Sequence, residues 1–168
     1  MNYVNPGPRL LGVKDDTPWL DEQENRIWRA FLQVSGRINA QLSESLKTTT
    51  GLTMDDYEVL VHLSESESQR LRMTELSHRL LHSQSRLTQR IDRLSKRGYV
   101  CREKCPDDGR GTFAVLTPAG MQVIKDAAPH HVKDVRAALI DLIDPKEQPL
   151  VADVLERLAA HARDRDLG

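Results

Sequence analysis

The stretch that decides the fold runs from Met73 to Thr117, MTELSHRLLHSQSRLTQRIDRLSKRGYVCREKCPDDGRGTFAVLT. Its order predicts a short helix, a tight turn, a second helix rich in arginine, and two strands joined by a Gly-rich loop. Ser83 is placed to cap the second helix, because its hydroxyl can accept from the free N–H groups of the first turn. Gly98 ends that helix with the residue that best tolerates a left-handed cap. The stretch therefore predicts a helix-turn-helix followed by a wing.

The second helix of this stretch has two unlike faces. Leu87, Ile91 and Leu94 recur at helical spacing and predict a buried seam. The opposite face carries guanidinium, amide and hydroxyl groups, and arginine and glutamine form paired hydrogen bonds with guanine and adenine in the major groove. We expect the helix to contact DNA through Ser83, Gln84, Ser85, Arg86, Thr88, Gln89, Arg90 and Arg93.

The wing is predicted as two strands, residues 99–105 and 112–116, joined by a loop rich in Pro, Asp and Gly. Arg110 lies in this loop between Gly109 and Gly111, and glycines on both sides let the backbone approach a surface closely. Because narrow A·T-rich minor grooves attract arginine, we expect Arg110 to enter a minor groove.

A long amphipathic helix is predicted before this stretch. Residues 1–17 contain two prolines and two glycines without a periodic pattern, and predict a flexible arm. Asp15, Asp16 and Thr17 offer capping oxygens before Pro18, so the helix is expected to begin there and to run to about Lys47. Its apolar stripe comprises Ile27, Phe31, Val34, Ile38, Leu42 and Leu46. A helix of this length needs a second apolar surface, and another copy of the chain is the simplest source.

The segment that joins the long helix to the helix-turn-helix has signals of its own. Thr53, with Asp56 three residues later, predicts an N-cap and a helix over residues 54–66. Residues 70–73 alternate in polarity and predict a short strand that pairs with the wing. Thr74 is then placed to cap the first helix of the helix-turn-helix.

Two further helices are predicted after the wing. Thr117 is placed to cap the first of them, and Pro118 suits its first turn. Pro129 lies inside this helix, and a proline there removes one backbone hydrogen bond, so we expect a kink or break near Ala127. A last helix is predicted to begin within residues 144–150.

Charge is distributed unevenly along the chain. The 168 residues carry a formal net charge of −1. Residues 79–110 contain nine Lys and Arg against four Asp and Glu, so this segment is +5 and the remainder is −6. A basic face on an acidic body favours one orientation on DNA.

Other classes of protein are disfavoured by what the sequence lacks. No apolar run approaches the roughly 20 residues of a membrane span, and the N-terminus has no signal-peptide pattern, so we expect a cytoplasmic protein with reduced thiols. Neither a catalytic constellation nor a phosphate loop is present, so we expect no enzyme and no cofactor. The histidine pairs 78/82 and 130/131 lack ligand-type neighbours, and no metal site is expected.

Taken together, these residues resemble the MarR family of winged helix-turn-helix transcription regulators over about residues 19–163. The resemblance rests on the helix-turn-helix, on Asp108-Gly109-Arg110 in the wing, and on Leu116-Thr117 with Gly120 just beyond. It implies a mainly α (α+β) fold in which long N- and C-terminal helices form a dimerisation domain. The implied layout is a flexible arm at 1–17, a dimerisation helix at 18–50, a DNA-binding lobe at 51–117 and dimerisation helices at 118–168.

The resemblance also implies a way of working. A homodimer would bind a palindromic operator and act as a ligand-responsive repressor, with Asp108 paired to an arginine near the start of the wing and Arg110 in the minor groove. The effector would be a small aromatic or phenolic acid held between the dimer helices and the lobe. Residues implied at that pocket are Trp28, Arg29, Arg37, Tyr57 and His62.

Two alternatives remain open at this stage. The basic face of the winged helix would also suit an acidic protein partner, which would make the chain mainly a protein-interaction module. Cys101 and Cys105 would also suit a regulator that responds to thiol oxidation, although a spacing of four along a strand is too long for an easy disulfide.

Overall fold

The computed structural model of the chain describes residues 18–80, 83–105 and 111–166. The helices are α1 Glu22–Thr50, α2 Met54–Glu65, α3 Met73–Arg79, α4 Gln84–Lys96, α5 Pro118–Ala138 and α6 Gln148–Asp166; the strands are β1 Arg70–Arg72, β2 Val100–Lys104 and β3 Thr112–Leu116; a 3₁₀ turn spans Ile140–Leu142. The predicted mainly α class is confirmed. The predictions for residues 1–17, Asp108 and Arg110 lie outside the described residues.

The chain divides into two compact units, with the boundary between Gln41 and Leu42 inside α1. In the first unit α1 begins at Glu22, not at Pro18 as predicted. The reason is a reciprocal cap, because Asp21 accepts from the backbone N–H of Glu24 at 2.8 Å and Glu24 accepts from that of Asp21 at 2.8 Å.

The second unit contains the winged helix. Its three strands form one antiparallel sheet in the order β1-β3-β2, which confirms the predicted pairing of the short strand with the wing. Leu71 faces Ala114 in this register, and both side chains are buried. The largest fully buried side chains are Leu52, Val59, Leu60, Leu63, Leu76, Leu87, Ile91, Leu94 and Val100. The core thus lies between α2, α3, α4 and the sheet.

Helix caps set where these elements begin. The predicted caps Thr53, Ser83 and Thr117 are confirmed, each accepting a backbone N–H three residues later. Thr74 is not a cap, because α3 already begins at Met73, directly after β1, and its N-cap Arg72 makes no side-chain capping bond. The short strand thus leads straight into the helix-turn-helix.

Helix α5 is continuous from Pro118 to Ala138, so of the kink or break expected near Ala127 the break is wrong, and the kink stays a prediction. Pro129 removes one backbone bond, but Ile124 and Ala127 pack into the core and favour the helix on the preceding turns. The start of α5 also fits closely against the wing, since a Cβ on Gly120 would lie 2.1 Å from the carbonyl oxygen of Tyr99. Within the described residues, none of the helices is long and apolar enough to cross a membrane.

Candidate nucleic-acid interface

The exposed face of α4 is the candidate interface. Its apolar side is fully buried through Leu87, Ile91 and Leu94. The exposed residues of the predicted contact set are Ser83, Gln84, Ser85, Arg86, Thr88, Gln89 and Arg93. The helix is thus seated on the lobe by its apolar side, and a row of donors and acceptors faces outward.

Arg90 does not belong to this face. Its side chain is only 8% exposed and forms ion pairs with Asp55 and with Asp56, the latter at 3.3 Å. A buried guanidinium held by two carboxylates is not available to a base or phosphate. The prediction that Arg90 contacts DNA is therefore corrected: it lies at the border of the apolar seam, and the carboxylates of α2 hold it there.

Two of the exposed residues fix the start of α4. Ser83 caps the helix by accepting from the backbone N–H of Arg86 at 3.4 Å. Gln84 donates to the buried hydroxyl of Ser77 at 2.6 Å, and Ser77 donates to the carbonyl of Thr74 at 2.8 Å. These bonds tie the start of α4 to α3 and so set the angle of the helix-turn-helix.

The middle of the exposed face is unengaged. Within the described part of the chain, the side chains of Arg86 and Gln89 are exposed and form no hydrogen bond or ion pair with another residue. Arg93 is 60% exposed at its side chain and lies 3.6 Å from Asp56. A long exposed side chain at that distance exchanges one weak ion pair for another at small cost. Arg86, Gln89 and Arg93 are therefore the groups best placed to bind a ligand along α4.

The wing is attached to α4 by a residue that the sequence analysis missed. Arg102 on β2 forms an ion pair with Asp92 at 2.9 Å and donates to the carbonyl of Thr88 at 3.1 Å. Beside it lies an open groove of about 530 Å³, lined by Arg72, Met73, Thr74, Gln84, Thr88, Arg102, Gly111 and Thr112. Side chains alternate between the two faces of a strand, so Arg102 shares a face with the buried Val100. This alternation was the sequence signal that could have placed Arg102 against the lobe.

The outer side of the sheet carries another arrangement not foreseen from the sequence. The guanidinium groups of Arg70 and Arg72 lie 4.9 and 5.6 Å from the ring centroid of Phe113. Arg70 also pairs loosely with Glu103 at 3.9 Å. Cation–π contacts of this kind brace β1 against β3 at the base of the wing.

The two cysteines occupy unlike environments. Cys101 is exposed on β2, whereas Cys105 follows β2 and is only 3% exposed. The backbone N–H of Cys105 donates to the carbonyl of Gly111 at 3.0 Å, and a Cβ on Gly111 would lie 2.7 Å from the Cys105 sulfur. Both thiols are free. The thiol-oxidation alternative thus has one accessible sulfur and one packed sulfur to act on.

The residues predicted at an effector pocket are placed as follows. Trp28, Arg29 and Arg37 are exposed on α1. Tyr57 is a core residue whose ring packs 4.8 Å from that of His131, and His62 is half-buried. Burial, followed by the charge of Glu65, raises the pKa of Tyr57 above its ordinary value of 10.0. The pocket itself stays a prediction.

Metal binding finds no support in the described residues. No group of three or more His, Cys, Asp or Glu side chains lies close enough together there to hold an ion.

Comparison with known proteins identifies what this arrangement resembles. A family model described as the MarR family matches residues 50–111. The crystal structure of AbsC, a MarR family transcriptional regulator from Streptomyces coelicolor, is 42% identical with a TM-score of 0.85, covering 88% of this chain and 99% of that one.

Two further relatives agree with this match. Sco3205, a MarR family regulator from the same organism crystallised in complex with DNA, is 37% identical with a TM-score of 0.83, covering 86% and 94% of the two chains. PrsX from Escherichia coli, an HTH-type transcriptional regulator, is 29% identical over 154 residues, which is 90% of either chain.

Proposed function

Because this chain belongs to the MarR family of transcription regulators, we propose that it binds double-stranded DNA sequence-specifically in the cytoplasm, with α4 in the major groove and Arg110 in the minor groove. The observation that carries the proposal is the outward row of exposed polar side chains on α4, a helix whose apolar side is fully buried. The relative Sco3205, 37% identical, was crystallised in complex with DNA, which supports DNA binding here. Members of this family are transcription regulators, not enzymes.

The assembly that we propose is a homodimer. Large apolar side chains are exposed on α1 and just before it, on α5 and in the 3₁₀ turn that follows it, and on α6, namely Leu20, Ile27, Trp28, Phe31, Val34, Val132, Leu142, Leu150, Val154, Leu155 and Leu158. Exposed apolar stripes of this extent mark interaction surfaces. Residues 18–50 and 118–168 would then serve dimerisation and residues 51–117 DNA binding. Two-fold symmetry of the protein requires a palindromic operator.

The regulation that we propose is relief of repression by a small aromatic or phenolic acid. Trp28 stacks on Phe31 with 6.1 Å between ring centroids, and Arg29 and Arg37 lie on the same helix. An aromatic surface with guanidinium groups nearby suits a ring that bears a carboxylate. A ligand that weakens DNA binding must itself bind more weakly to the DNA complex, because coupling between two sites is reciprocal.

The test begins with selection of bound duplexes from random DNA by the full-length protein. We expect an enriched palindrome, and an affinity for it that falls steeply with salt. Arg110→Ala should weaken binding to all duplexes, because a contact in the minor groove adds little base information. Recovery of no common sequence, with equal weak binding to every duplex, would instead favour the protein-interaction alternative.

The effector is tested on the same palindrome. Titration with benzoate, salicylate and related phenolic acids should lower the affinity, and Arg29→Gln or Arg37→Gln should blunt that response. An unchanged affinity across the acids would rule out this class of effector and leave the DNA-binding proposal intact.

A further inference from the structure

Two arginines, Arg90 within α4 and Arg97 at its C-terminal end, contact the junction of α1 and α2. Arg90 and Arg97 are seven residues apart, which is almost two full turns, so both lie on the same side of the helix axis. Arg97 is the C-cap residue of α4. The two side chains meet the junction, residues 50–56, at different points.

Arg90 holds the end of the junction that begins α2. It pairs with Asp55 and Asp56, and its guanidinium also donates to the hydroxyl of Thr53 at 3.4 Å. Thr53 and Asp56 are the capping box of α2, so Arg90 contacts the groups that define where that helix starts. Asp56 is 6% exposed, and a buried charge of this kind requires its partner in place.

Arg97 holds the end of the junction that terminates α1. It donates to the carbonyl of Gly51 at 2.9 Å and to that of Thr50 at 3.5 Å. Gly51 has a left-handed φ of +67°, as expected just past a helix C-terminus. The guanidinium also lies 4.8 Å above the ring of Tyr99, which fixes its direction. A cation on terminal carbonyls is favourable there, because these groups have no partner in the helix.

We infer that Arg90 and Arg97 are positioning residues, which fix α4 to the α1–α2 junction at two points. By fixing its orientation, they set how accurately α4 discriminates between bases. This inference deepens the proposed function and rests on it. Any change that moves the end of α1 would be passed to α4 through these two side chains. Arg90 thus acts from the buried side of α4 through Asp55 and Asp56, and does not contact DNA itself.

The test measures two properties of each variant on the selected palindrome: the affinity ratio between it and its single-base variants, and the slope of log affinity against log salt. Arg97→Met should reduce the ratio about 5- to 20-fold, since misaligned paired contacts lose their discrimination. The salt slope should stay unchanged, because no phosphate contact is removed. Arg97→Lys, which can reach one carbonyl, should restore part of the ratio.

Arg86→Met is the matched control, since it makes the same change on the exposed face of the same helix. It should lower the salt slope by about 1. Loss of stability alone would reduce the fraction of active protein without changing either property, and stoichiometric titration measures that fraction. A reduced slope for Arg97→Met, or an unchanged ratio, would overturn the inference.

Arg90 is tested as Arg90→Met combined with Asp56→Asn. The single change leaves a buried carboxylate without its main partner, whereas the double change removes both charges and leaves an amide oxygen for the capping box. We expect the double variant to show the same reduced affinity ratio between the palindrome and its single-base variants, with an unchanged salt slope. An unchanged ratio in the folded double variant would contradict the inference, whereas failure of the wild-type protein to select any sequence would contradict the proposed function.

Discussion

The winged lobe and the flanking helices carry the same kind of apolar periodicity, but they differ in how far the apolar side chains are buried within one chain. In the lobe, Leu87, Ile91 and Leu94 of α4 are completely buried within one chain. On α1 and α6, Ile27 and Leu150 are 63% and 66% exposed. The difference teaches that the winged lobe completes its core within one chain, whereas the flanking helices leave an apolar surface exposed, which is the basis of the proposed dimer.

The largest effect should come from placing a charge in the exposed stripe of α1. Phe31 is 49% exposed, and Phe31→Asp would bury a carboxylate at the proposed dimer interface. We expect the dimer to weaken by about 100-fold or more, since a central apolar contact and an unpaired charge both count against association. Sedimentation over a range of concentrations measures this.

Gln33→Asp is the control for that change, because Gln33 is an exposed polar residue of the same helix. It should leave the dimer intact. Equal behaviour of the two variants would show that the stripe is not an interface.

The next effect should come from the core of the lobe. Leu94 is fully buried, and Leu94→Ala should lower the free energy of unfolding by about 3 kcal/mol through lost contacts and the cavity left behind. Chemical denaturation measures the change. Lys125 on α5 is exposed and lies outside the apolar surface proposed for the dimer, and Lys125→Ala should cost less than about 1 kcal/mol. Similar losses in the free energy of unfolding at both positions would contradict the difference in burial between the lobe and the flanking helices.

A smaller and more local effect is expected at Gln89. Gln89→Ala should reduce discrimination at one base pair of each half-site by about 1–2 kcal/mol while changing affinity for unrelated DNA little. Competition binding with single-base variants measures it. Gln122→Ala on α5 removes an amide that donates to Asp126 and should change nothing in this assay. Uniform loss across all base pairs would assign Gln89 to the phosphate backbone instead.

The smallest effect concerns pH and Tyr57. Burial first, and the charge of Glu65 second, raise the pKa of its phenol above 10.0 in the folded protein. The contribution of Tyr57 to stability is therefore complete below pH 10 and is lost as the pH rises through the folded-state pKa. Tyr57→Phe should remove that part of the alkaline loss, which denaturation at pH 8 to 11 would show. If the free energy of unfolding depended on pH in the same way in the wild-type protein and in Tyr57→Phe, this prediction would be contradicted.

Much of the lobe was predictable because its signals are local. The caps at Thr53, Ser83 and Thr117 and the glycine at Gly98 depend on residues within a few positions of one another. The start of α1 was missed because several oxygens compete before it, and only the reciprocal bond between Asp21 and Glu24 decides among them.

The part of the site that could not be predicted depends on contacts distant in sequence. Periodicity places Arg90 at the border of two faces, and only the position of Asp55 and Asp56, 34 or 35 residues away, decides that it turns inward. The link from Arg102 to α4 likewise requires knowing which strand lies against the helix. Sequence patterns identified which face of α4 is polar and exposed, and tertiary packing decided which of its charged side chains remain available.

The most direct test of the central contrast is the stoichiometry of the complex with the selected palindromic duplex. A lobe complete within one chain, joined to helices completed by a second chain, predicts two chains per duplex at saturation in native mass spectrometry. It also predicts that Phe31→Asp binds one half-site at a time with much lower affinity. A wild-type complex saturating at one chain per duplex with full sequence preference would contradict the account.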